Sequence, residues 1–188
     1  MVCGAYLSYG TLYLEAFSDY VDNTDGHITF IADLMARLDE NALAPPAGAR
    51  VLVLGSGNGI HDPGLARFGL TIVSLDIRAE IVRLGQQQAD GRISYVVADM
   101  TKPLPLAACS VDAVFNIGSS FGFEERDEDN AAIFRHAAKA LKSGRPFVFE
   151  YVNGEFWRGT SLTSVFLVRP DGSSGGFITS CTTTSSTR

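Results

Sequence analysis

The chain has 188 residues and a formal net charge of −6. Because domains typically have roughly 100–200 residues, we predict a single domain over 1–188, with a helical N-terminal cap at 1–49, a core at 50–153, and an edge hairpin with a frayed tail at 154–188. The negative charge argues against a nucleic-acid partner, since phosphate binding requires clustered Lys and Arg. No apolar run approaches the ~18 residues of a membrane span, so no membrane partner is expected.

The cysteines predict neither a disulfide framework nor a metal site. Cys3, Cys109 and Cys181 are far apart and form no CxxC pair. The N-terminus has no signal-peptide pattern, and Arg, Ala and Gly outnumber Lys and Asn, as in GC-rich bacterial genomes. We expect a cytoplasmic bacterial protein without a metal, whose partner is a small molecule.

The first 23 residues carry aromatic side chains at helical spacing, namely Tyr6, Tyr9, Tyr13, Phe17 and Tyr20. These rings either pack on the domain or close over a ligand with one or two of their hydroxyls. A further helix is predicted over 24–41, because Thr24 and Asp25 are suited to capping and apolar residues then recur at helical spacing. Pro45 and Pro46 end this segment.

Residues 50–76 read RVLVLGSGNGIHDPGLARFGLTIVSLD, which predicts a strand, a glycine turn, a helix and a second strand. The apolar run at 51–54 is typical of a parallel strand covered on both faces. The glycines at 55, 57 and 59 allow positive φ and a close approach to a ligand. Asp62 and Pro63 are predicted as N-cap and first helical residue. Asp76, at the end of the second strand, can accept hydrogen bonds from ribose hydroxyls, so the segment predicts a nucleotide-like ligand.

The remaining sequence alternates strands and helices. The predicted elements are a helix at 81–88, strands at 93–98 and 111–117, a helix at 130–142 after an acidic helix start at 124–129, a strand at 147–152, and a hairpin of strands at 164–168 and 176–183. This order predicts an α/β fold with a three-layer, Rossmann-like, doubly wound and mostly parallel sheet, with the antiparallel hairpin at one edge. The hairpin edge is also a candidate surface for a homodimer.

Five motifs in this order resemble those of the class I S-adenosylmethionine-dependent methyltransferases. They are VLVLGSGNG at 51–59, LDI at 75–77, VADM at 97–100, DAVFN at 112–116 and LKSG at 141–144. The resemblance covers about residues 20–153, and the loop GSSFGF at 118–123 is similar to one in bacterial small-molecule members.

The resemblance implies S-adenosylmethionine as cofactor, S-adenosylhomocysteine as product, and in-line methyl transfer to an N, O or C atom of a small molecule. It also implies the cofactor contacts. The turn Gly55, Ser56, Gly57 and Gly59 would lie along the methionine and ribose, Asp76 on the ribose hydroxyls, Ile77 and Met100 against adenine, Asp99 at the adenine amino group, and Asn116 and Ile117 beside the sulfonium. The alternative for Asp76 and Asp99 is a strand-end carboxylate that caps the next helix.

The acceptor side is less clearly marked in the sequence. The substrate-binding candidates are aromatic or polar residues at strand ends and flanking loops, namely Tyr13, Tyr20, Phe121, Tyr151 and Asn153, although core packing explains the rings equally well. No catalytic base is identified, and His61 is interpreted as a packing or capping residue.

Two other functions stay open. Many members of the family have an acid two residues before the first glycine, where this chain has Val53, and that departure favours a non-catalytic S-adenosylmethionine-binding module. The glycines and Asp76 also satisfy part of the fingerprint of an NAD(P)-dependent oxidoreductase. Against this second alternative, the third glycine of G-x-G-x-x-G would fall on Ile60.

Overall fold

The computed structural model describes residues 24–118 and 120–152, together with two strands at 163–168 and 174–180. The predicted aromatic helix with Tyr13 and Tyr20, and the candidate Asn153, lie outside the described residues. Tyr151 is described by its backbone alone.

The described residues form four helices and seven strands. In chain order these are α1 (Thr24–Glu40), β1 (Arg50–Leu54), α2 (Asp62–Ala66), β2 (Thr71–Asp76), α3 (Ala79–Gln88), β3 (Ile93–Val97), β4 (Ala113–Asn116), α4 (Asp127–Ala140), β5 (Phe147–Val152), β6 (Thr163–Val168) and β7 (Ser174–Ser180). They build one sheet of order β3-β2-β1-β4-β5-β6-β7. Strands β1 to β5 are parallel, and β6 and β7 pair antiparallel at the edge.

Alternate residues of β1 enter two separate hydrophobic cores. Val51 and Val53 pack with Ile31 and other residues of α1 on one face of the sheet. Leu52 and Leu54 pack with Ile133 and other residues of α4 on the opposite face. A central parallel strand covered on both faces is therefore apolar throughout, and the predicted doubly wound fold with its edge hairpin is confirmed.

The order of the sheet determines where a ligand can bind. Strand β1 pairs with β2 on one side and with β4 on the other, so the chain winds in opposite directions from this point. In open parallel sheets, such a reversal leaves a crevice at the carboxyl ends of the strands. The loops that start at Gly55 and Ile117 lie at that crevice. Among the described residues, no helix is long and apolar enough to cross a membrane.

Several predicted boundaries need correction. Helix α4 begins at Asp127 rather than residue 130, since its first turn holds three acids that favour the positive end of the helix dipole. It ends before Leu141, whose ψ of 136° is extended and which forms a bridge to Val111. That bridge is isolated, so β4 begins at Ala113 rather than residue 111. The hairpin strands start one or two residues earlier than predicted.

The predicted role of Asp62 as N-cap is wrong. His61 occupies the N-cap position of α2 and makes no side-chain capping bond. Asp62 lies one residue further on, where its fully buried carboxylate accepts a hydrogen bond from Ser74 on β2. The alternating geometry of β2 directs Ser74 toward α2, and only the folded sheet reveals this pairing.

Candidate functional site

A cleft at the carboxyl ends of β1 to β4 brings together five of the predicted cofactor residues. It contains about 590 Å³ of space, part of it open to solvent, and we call it the strand-end cleft. The predicted residues that line it are Gly55, Asp76, Ile77, Asp99 and Met100. Sequence reasoning gave no role to four further lining residues, Arg78, Thr101, Ser120 and Phe123.

A second, smaller cleft continues past the glycine turn and contains about 360 Å³ of space. We call it the glycine-turn cleft. Gly55, Arg78 and Ser120 border both clefts, so the two adjoin. Predicted residues Ser56, Gly57 and Ile117 line the second cleft, and so do Asn58, Ile60, His61 and Gly118.

Asp76 connects the end of β2 to the glycine turn. Its side chain is buried, with Oδ2 accepting a hydrogen bond from the Gly57 amide at 2.9 Å. Its Oδ1 accepts from the Arg78 amide at 2.9 Å and from Arg78 Nε at 3.2 Å. The carboxylate therefore holds the turn in place and anchors a buried arginine, in addition to bordering the strand-end cleft.

Arg78 was missed because the sequence offers no signal for it. An arginine two residues after a strand end is usually solvent-exposed, but this one is only 6% exposed. Its ion pair with Asp76 offsets the cost of burying both charges, and the backbone bond between the same residues holds the geometry.

The three glycines of the turn have positive φ angles, and two of them lie in close contact with neighbouring segments of the chain. Gly55, Gly57 and Gly59 have φ values of 63°, 58° and 81°. A Cβ at Gly55 would collide with the Cβ of Ser120 from the loop after β4. A Cβ at Gly59 would collide with the Tyr95 hydroxyl and lie 2.6 Å from Asp62 Oδ2. Gly59 therefore contacts the layer beneath the turn and is not among the residues that line the clefts.

Asp99 lies at the far side of the strand-end cleft, just after β3. Its Oδ1 accepts hydrogen bonds from the amide and hydroxyl of Thr101, at 2.8 and 2.7 Å. Within the described part of the chain, Oδ2 has no hydrogen-bond partner. One oxygen thus closes a local turn, and the other can accept from a ligand in the cleft.

Asn116 and Phe121 occupy positions behind the clefts. Asn116 is fully buried and donates a hydrogen bond to the Leu54 carbonyl at 3.1 Å, which joins the ends of β4 and β1. Phe121 packs against Phe134 and Phe149 with ring centroids 5.2 and 4.9 Å away. Both residues support the cleft walls from within the core.

A buried acid lies directly beneath the glycine turn. Burial raises the pKa of Asp62 to about 6, although hydrogen bonds from Ser74 and Tyr95 oppose this rise. Its Oδ1 is buried and has no hydrogen-bond partner within the described ranges. This carboxyl therefore titrates in a range that ordinary aspartates do not reach.

A group of polar side chains surrounds Gly118 at the start of the loop after β4. The Gly118 amide donates to Glu150 Oε2 at 2.8 Å. A Cβ at Gly118 would lie 3.6 Å from His61 Nε2, so the imidazole faces this residue. The His61 ring lies edge-on to His27, with centroids 4.9 Å apart. Burial raises the pKa of Glu150, against the lowering effects of the Gly118 amide and His27.

His61 is buried without any hydrogen bond to the residues that the structure describes. It is 6% exposed, and neither ring nitrogen has a partner there. Burial, with a smaller effect of His27, lowers its pKa to about 3. In the sequence, only the position of His61 two residues after the glycine turn pointed to the site. The burial and the orientation of its ring depend on the folded chain. No group of three or more His, Cys, Asp or Glu side chains suited to a metal ion occurs among the described residues.

Comparison with known proteins identifies relatives of this fold and site. The profile of the family described as "Methyltransferase domain" matches residues 52–149. A ubiquinone biosynthesis O-methyltransferase of Xanthomonas axonopodis pv. citri is 31% identical over 116 residues, which are 60% of this chain and 47% of that protein. A demethylmenaquinone methyltransferase of Renibacterium salmoninarum is 28% identical over 71% of this chain and 54% of that protein. The chain thus spans about half the length of these curated relatives.

Solved structures agree with this comparison. An S-adenosylmethionine-dependent methyltransferase from Mesorhizobium loti superposes with a TM-score of 0.52 and 26% identity, over 60% of this chain and 51% of that one. The family profile covers more than half of the 188 residues, from within β1 to the middle of β5. The chain therefore belongs to the methyltransferase domain family, among the class I S-adenosylmethionine-dependent methyltransferases.

Proposed function

We propose that this chain binds S-adenosylmethionine across the two adjoining clefts and transfers its methyl group to a small-molecule N, O or C acceptor. The observation that carries the proposal is the convergence of Gly55, Asp76 and Asp99, from three separate strand ends, on one cleft. Family membership supports the cofactor class. The chain acts in this proposal as a single domain over 1–188.

The residues of the clefts fit this cofactor. Asp76 and Asp99 offer carboxylate oxygens to hydroxyl and amino donors, and Ile77, 38% exposed, offers an apolar surface to a flat ring. Ser56 Oγ is buried in the glycine-turn cleft without a partner among the described residues, so a polar ligand would satisfy it. At position 55 only glycine is accommodated, because a Cβ there would overlap the side chain of Ser120, which borders both clefts.

These positions lead to an assignment of roles. Asp76 would accept hydrogen bonds from the ribose hydroxyls and Asp99 from the adenine amino group, with Ile77 and Met100 against the ring. The turn at Gly55, Ser56 and Gly57 would run along the methionine part, with Ile117 near the sulfonium. We assign Gly59 and Asn116 a supporting role, because their contacts lie behind the clefts.

Bound S-adenosylmethionine supplies a methyl group activated on a sulfonium. The chain contributes placement, because holding the acceptor in line with that methyl group removes much of the entropic barrier. The names of the curated relatives, which refer to ubiquinone biosynthesis and demethylmenaquinone, favour a planar acceptor of low charge. We propose that acceptor binding involves Tyr13, Tyr20, Phe121, Tyr151 and Asn153. We also propose that a homodimer forms through the hairpin edge.

Calorimetry tests the cofactor. Titration of the protein with S-adenosylmethionine, S-adenosylhomocysteine and NAD should show binding of the first two, because Asp76 and Asp99 recognise the adenosine and the glycine turn recognises the amino-acid part. A preference for NAD would contradict the proposal.

A second candidate is a domain that binds the cofactor without turnover. It is favoured by Val53, which is fully buried in the core under α1 and leaves no carboxylate two residues before the first glycine. Binding of S-adenosylhomocysteine without methylation of any amine, hydroxyl or carbon acceptor would support this candidate over the first.

A further inference from the structure

The carboxylate of Asp62 is a buried charge that the cofactor assignment leaves unexplained. The residue is 0% exposed, Ser74 Oγ donates to its Oδ2 at 2.5 Å, and its Oδ1 has no hydrogen-bond partner within the described ranges. Asp76 pairs with Arg78, but Asp62 forms no salt bridge with any residue that the structure describes. Burial of a carboxylate without a cation is costly, so this charge is explained if a cationic ligand binds nearby.

The backbone of the glycine turn separates Asp62 from the glycine-turn cleft by a single layer. The Asp62 amide donates to the Gly59 carbonyl, and the Gly59 amide donates to the Ser56 carbonyl, each at 3.0 Å. Ser56 lines the cleft above, and Asp62 Oδ2 lies 2.6 Å from the position that a Cβ at Gly59 would take. The charge therefore lies directly beneath the segment along which we place the methionine part of the cofactor.

The register of β1 and β2 places this carboxylate beside Val53. Val53 and Ser74 are paired residues of the two parallel strands, so their side chains lie on the same face of the sheet. Because Ser74 holds Asp62, the carboxylate lies next to the position, two residues before the first glycine, where many members of the family have an acid. In this chain the negative charge under the turn comes from α2 instead of β1.

The two forms of the cofactor differ in charge at the sulfur atom. S-adenosylmethionine carries a positive sulfonium, whereas the sulfur of S-adenosylhomocysteine is a neutral thioether. A buried carboxylate attracts a cation across one layer of backbone, because little water screens the two charges there. It does not attract the thioether in this way.

We propose that Asp62 is a specificity-determining residue, whose carboxylate strengthens the binding of S-adenosylmethionine over S-adenosylhomocysteine through the glycine turn, by its charge and without touching the ligand. This inference rests on the proposed methyltransferase function. It also explains how the product leaves, since the attraction to Asp62 is lost when the methyl group, and with it the positive charge on sulfur, has been transferred.

The titratable groups around Asp62 come from three elements. Tyr95 of β3 faces it, and burial together with the charges of Asp62 and Asp90 raises the pKa of this phenol, so Tyr95 stays neutral. On α2 itself, burial and His27 of α1 lower the pKa of the preceding His61 to about 3, so this imidazole is neutral above pH 5. Burial raises the pKa of Asp62 to about 6, so its charge changes between pH 7.5 and pH 5.

Calorimetry at these two pH values tests the inference through the ratio of the Kd for S-adenosylhomocysteine to that for S-adenosylmethionine. In the wild-type protein the ratio should fall by about three- to eightfold from pH 7.5 to pH 5, as Asp62 gains a proton. In Asp62→Asn it should already be about three- to 30-fold lower at pH 7.5 and should not change with pH. The control Asp33→Asn removes an exposed charge of α1 and should keep the wild-type ratio.

A ratio independent of pH in the wild-type protein would overturn the inference. So would an equal fall in Asp62→Asn, which would assign the titration to another group such as His27. Failure of the wild-type protein to bind S-adenosylhomocysteine would instead contradict the proposed function on which the inference rests.

Proton release on binding provides the second test, with a signal that a merely structural role of Asp62 would not produce. Binding of the sulfonium lowers the pKa of Asp62 from about 6, so the carboxyl group loses protons. Calorimetry at pH 5.5 in buffers of different ionisation enthalpy should show about 0.3–0.7 more protons released with S-adenosylmethionine than with S-adenosylhomocysteine. The difference should vanish in Asp62→Asn, and equal release with both ligands in the wild-type protein would overturn the inference.

Discussion

The carboxylate of Asp76 has two functions that a single substitution removes together. One carboxylate oxygen accepts a hydrogen bond from the Gly57 amide, and the other accepts hydrogen bonds from Arg78. These bonds fix the orientation of both oxygens before a ribose binds. This double role explains why an acid at the end of β2 is useful even before any ligand arrives.

At this residue we expect Asp76→Ala to weaken binding of S-adenosylmethionine by about 1–3 kcal/mol, which is about five- to 150-fold in Kd, because buried donors lose their acceptor. Calorimetry measures the change, with Asp33→Ala on the exposed side of α1 as control. An unchanged Kd in the folded Asp76→Ala protein would remove Asp76 from the site.

Among elements, the glycine turn is the most constrained. Gly55 lies against Ser120, and Gly59 against Tyr95 and Asp62, so the turn is fitted closely to the loop after β4 above it and to β3 and α2 below it. Gly48 has a similar φ of 84° but nothing within 4 Å of its Cβ position. Comparison of Gly48 with Gly59 therefore separates the strain of a positive φ from the steric overlap of an added Cβ.

We expect Gly48→Ala to cost about 1–2 kcal/mol of unfolding free energy, the strain of a left-handed backbone alone. Gly59→Ala should cost about 1–3 kcal/mol more, since its Cβ overlaps the Tyr95 hydroxyl and Asp62. Urea unfolding gives both values. Equal losses of unfolding free energy in the two variants would show that the overlap with Tyr95 and Asp62 does not affect stability. The double variant Tyr95→Phe/Gly59→Ala should recover part of the extra loss, because the overlapping hydroxyl is removed.

Neighbouring elements also explain which boundaries the sequence predicted well. Helix α1 and strand β5 lie within a residue or so of their predicted ranges, because apolar periodicity and flanking prolines or glycines determine them locally. The ends of β4 and α4 differ from prediction, because the bridge between Val111 and Leu141 joins residues that are 30 positions apart.

For the whole molecule, two adjacent buried residues give opposing dependences of stability on pH. The pKa of Asp62 is raised to about 6, so between about pH 4 and 6 the folded state holds a proton that the unfolded state has released, and stability from this group falls as pH rises. The pKa of His61 is lowered to about 3, so below pH 6.5 the unfolded state binds the proton, and stability from this group falls as pH drops.

These slopes oppose each other between about pH 4 and 6. We therefore expect Asp62→Asn to lose stability on acidification from pH 6.5 to 4 more steeply than wild type. The variant lacks the Asp62 contribution, which stabilises the fold as pH drops, and keeps the His61 contribution, which destabilises it. Urea unfolding at several pH values measures this, and Asp39→Asn, exposed on α1, should keep the wild-type slope. A variant slope equal to that of wild type would contradict the raised pKa of Asp62.

By itself, the sequence determined the alternation of strands and helices, the glycine turn, and the acids at the ends of β2 and β3. These are local properties: apolar runs, φ freedom at glycine, and strand-end positions are each encoded within a few residues. From them follow the doubly wound sheet, the crevice at its carboxyl ends, and five of the residues that line the strand-end cleft.

Only the tertiary structure decided the roles that depend on distant partners. Asp62 became a buried acid under the turn because β2 presents Ser74 to it, and Arg78 became part of the site because Asp76 holds it. His61 borders the glycine-turn cleft without a hydrogen bond among the described residues, because α1 buries it and Gly118 presents no side chain to its Nε2. Burial and orientation arise from contacts between segments far apart in the chain, which no local pattern specifies.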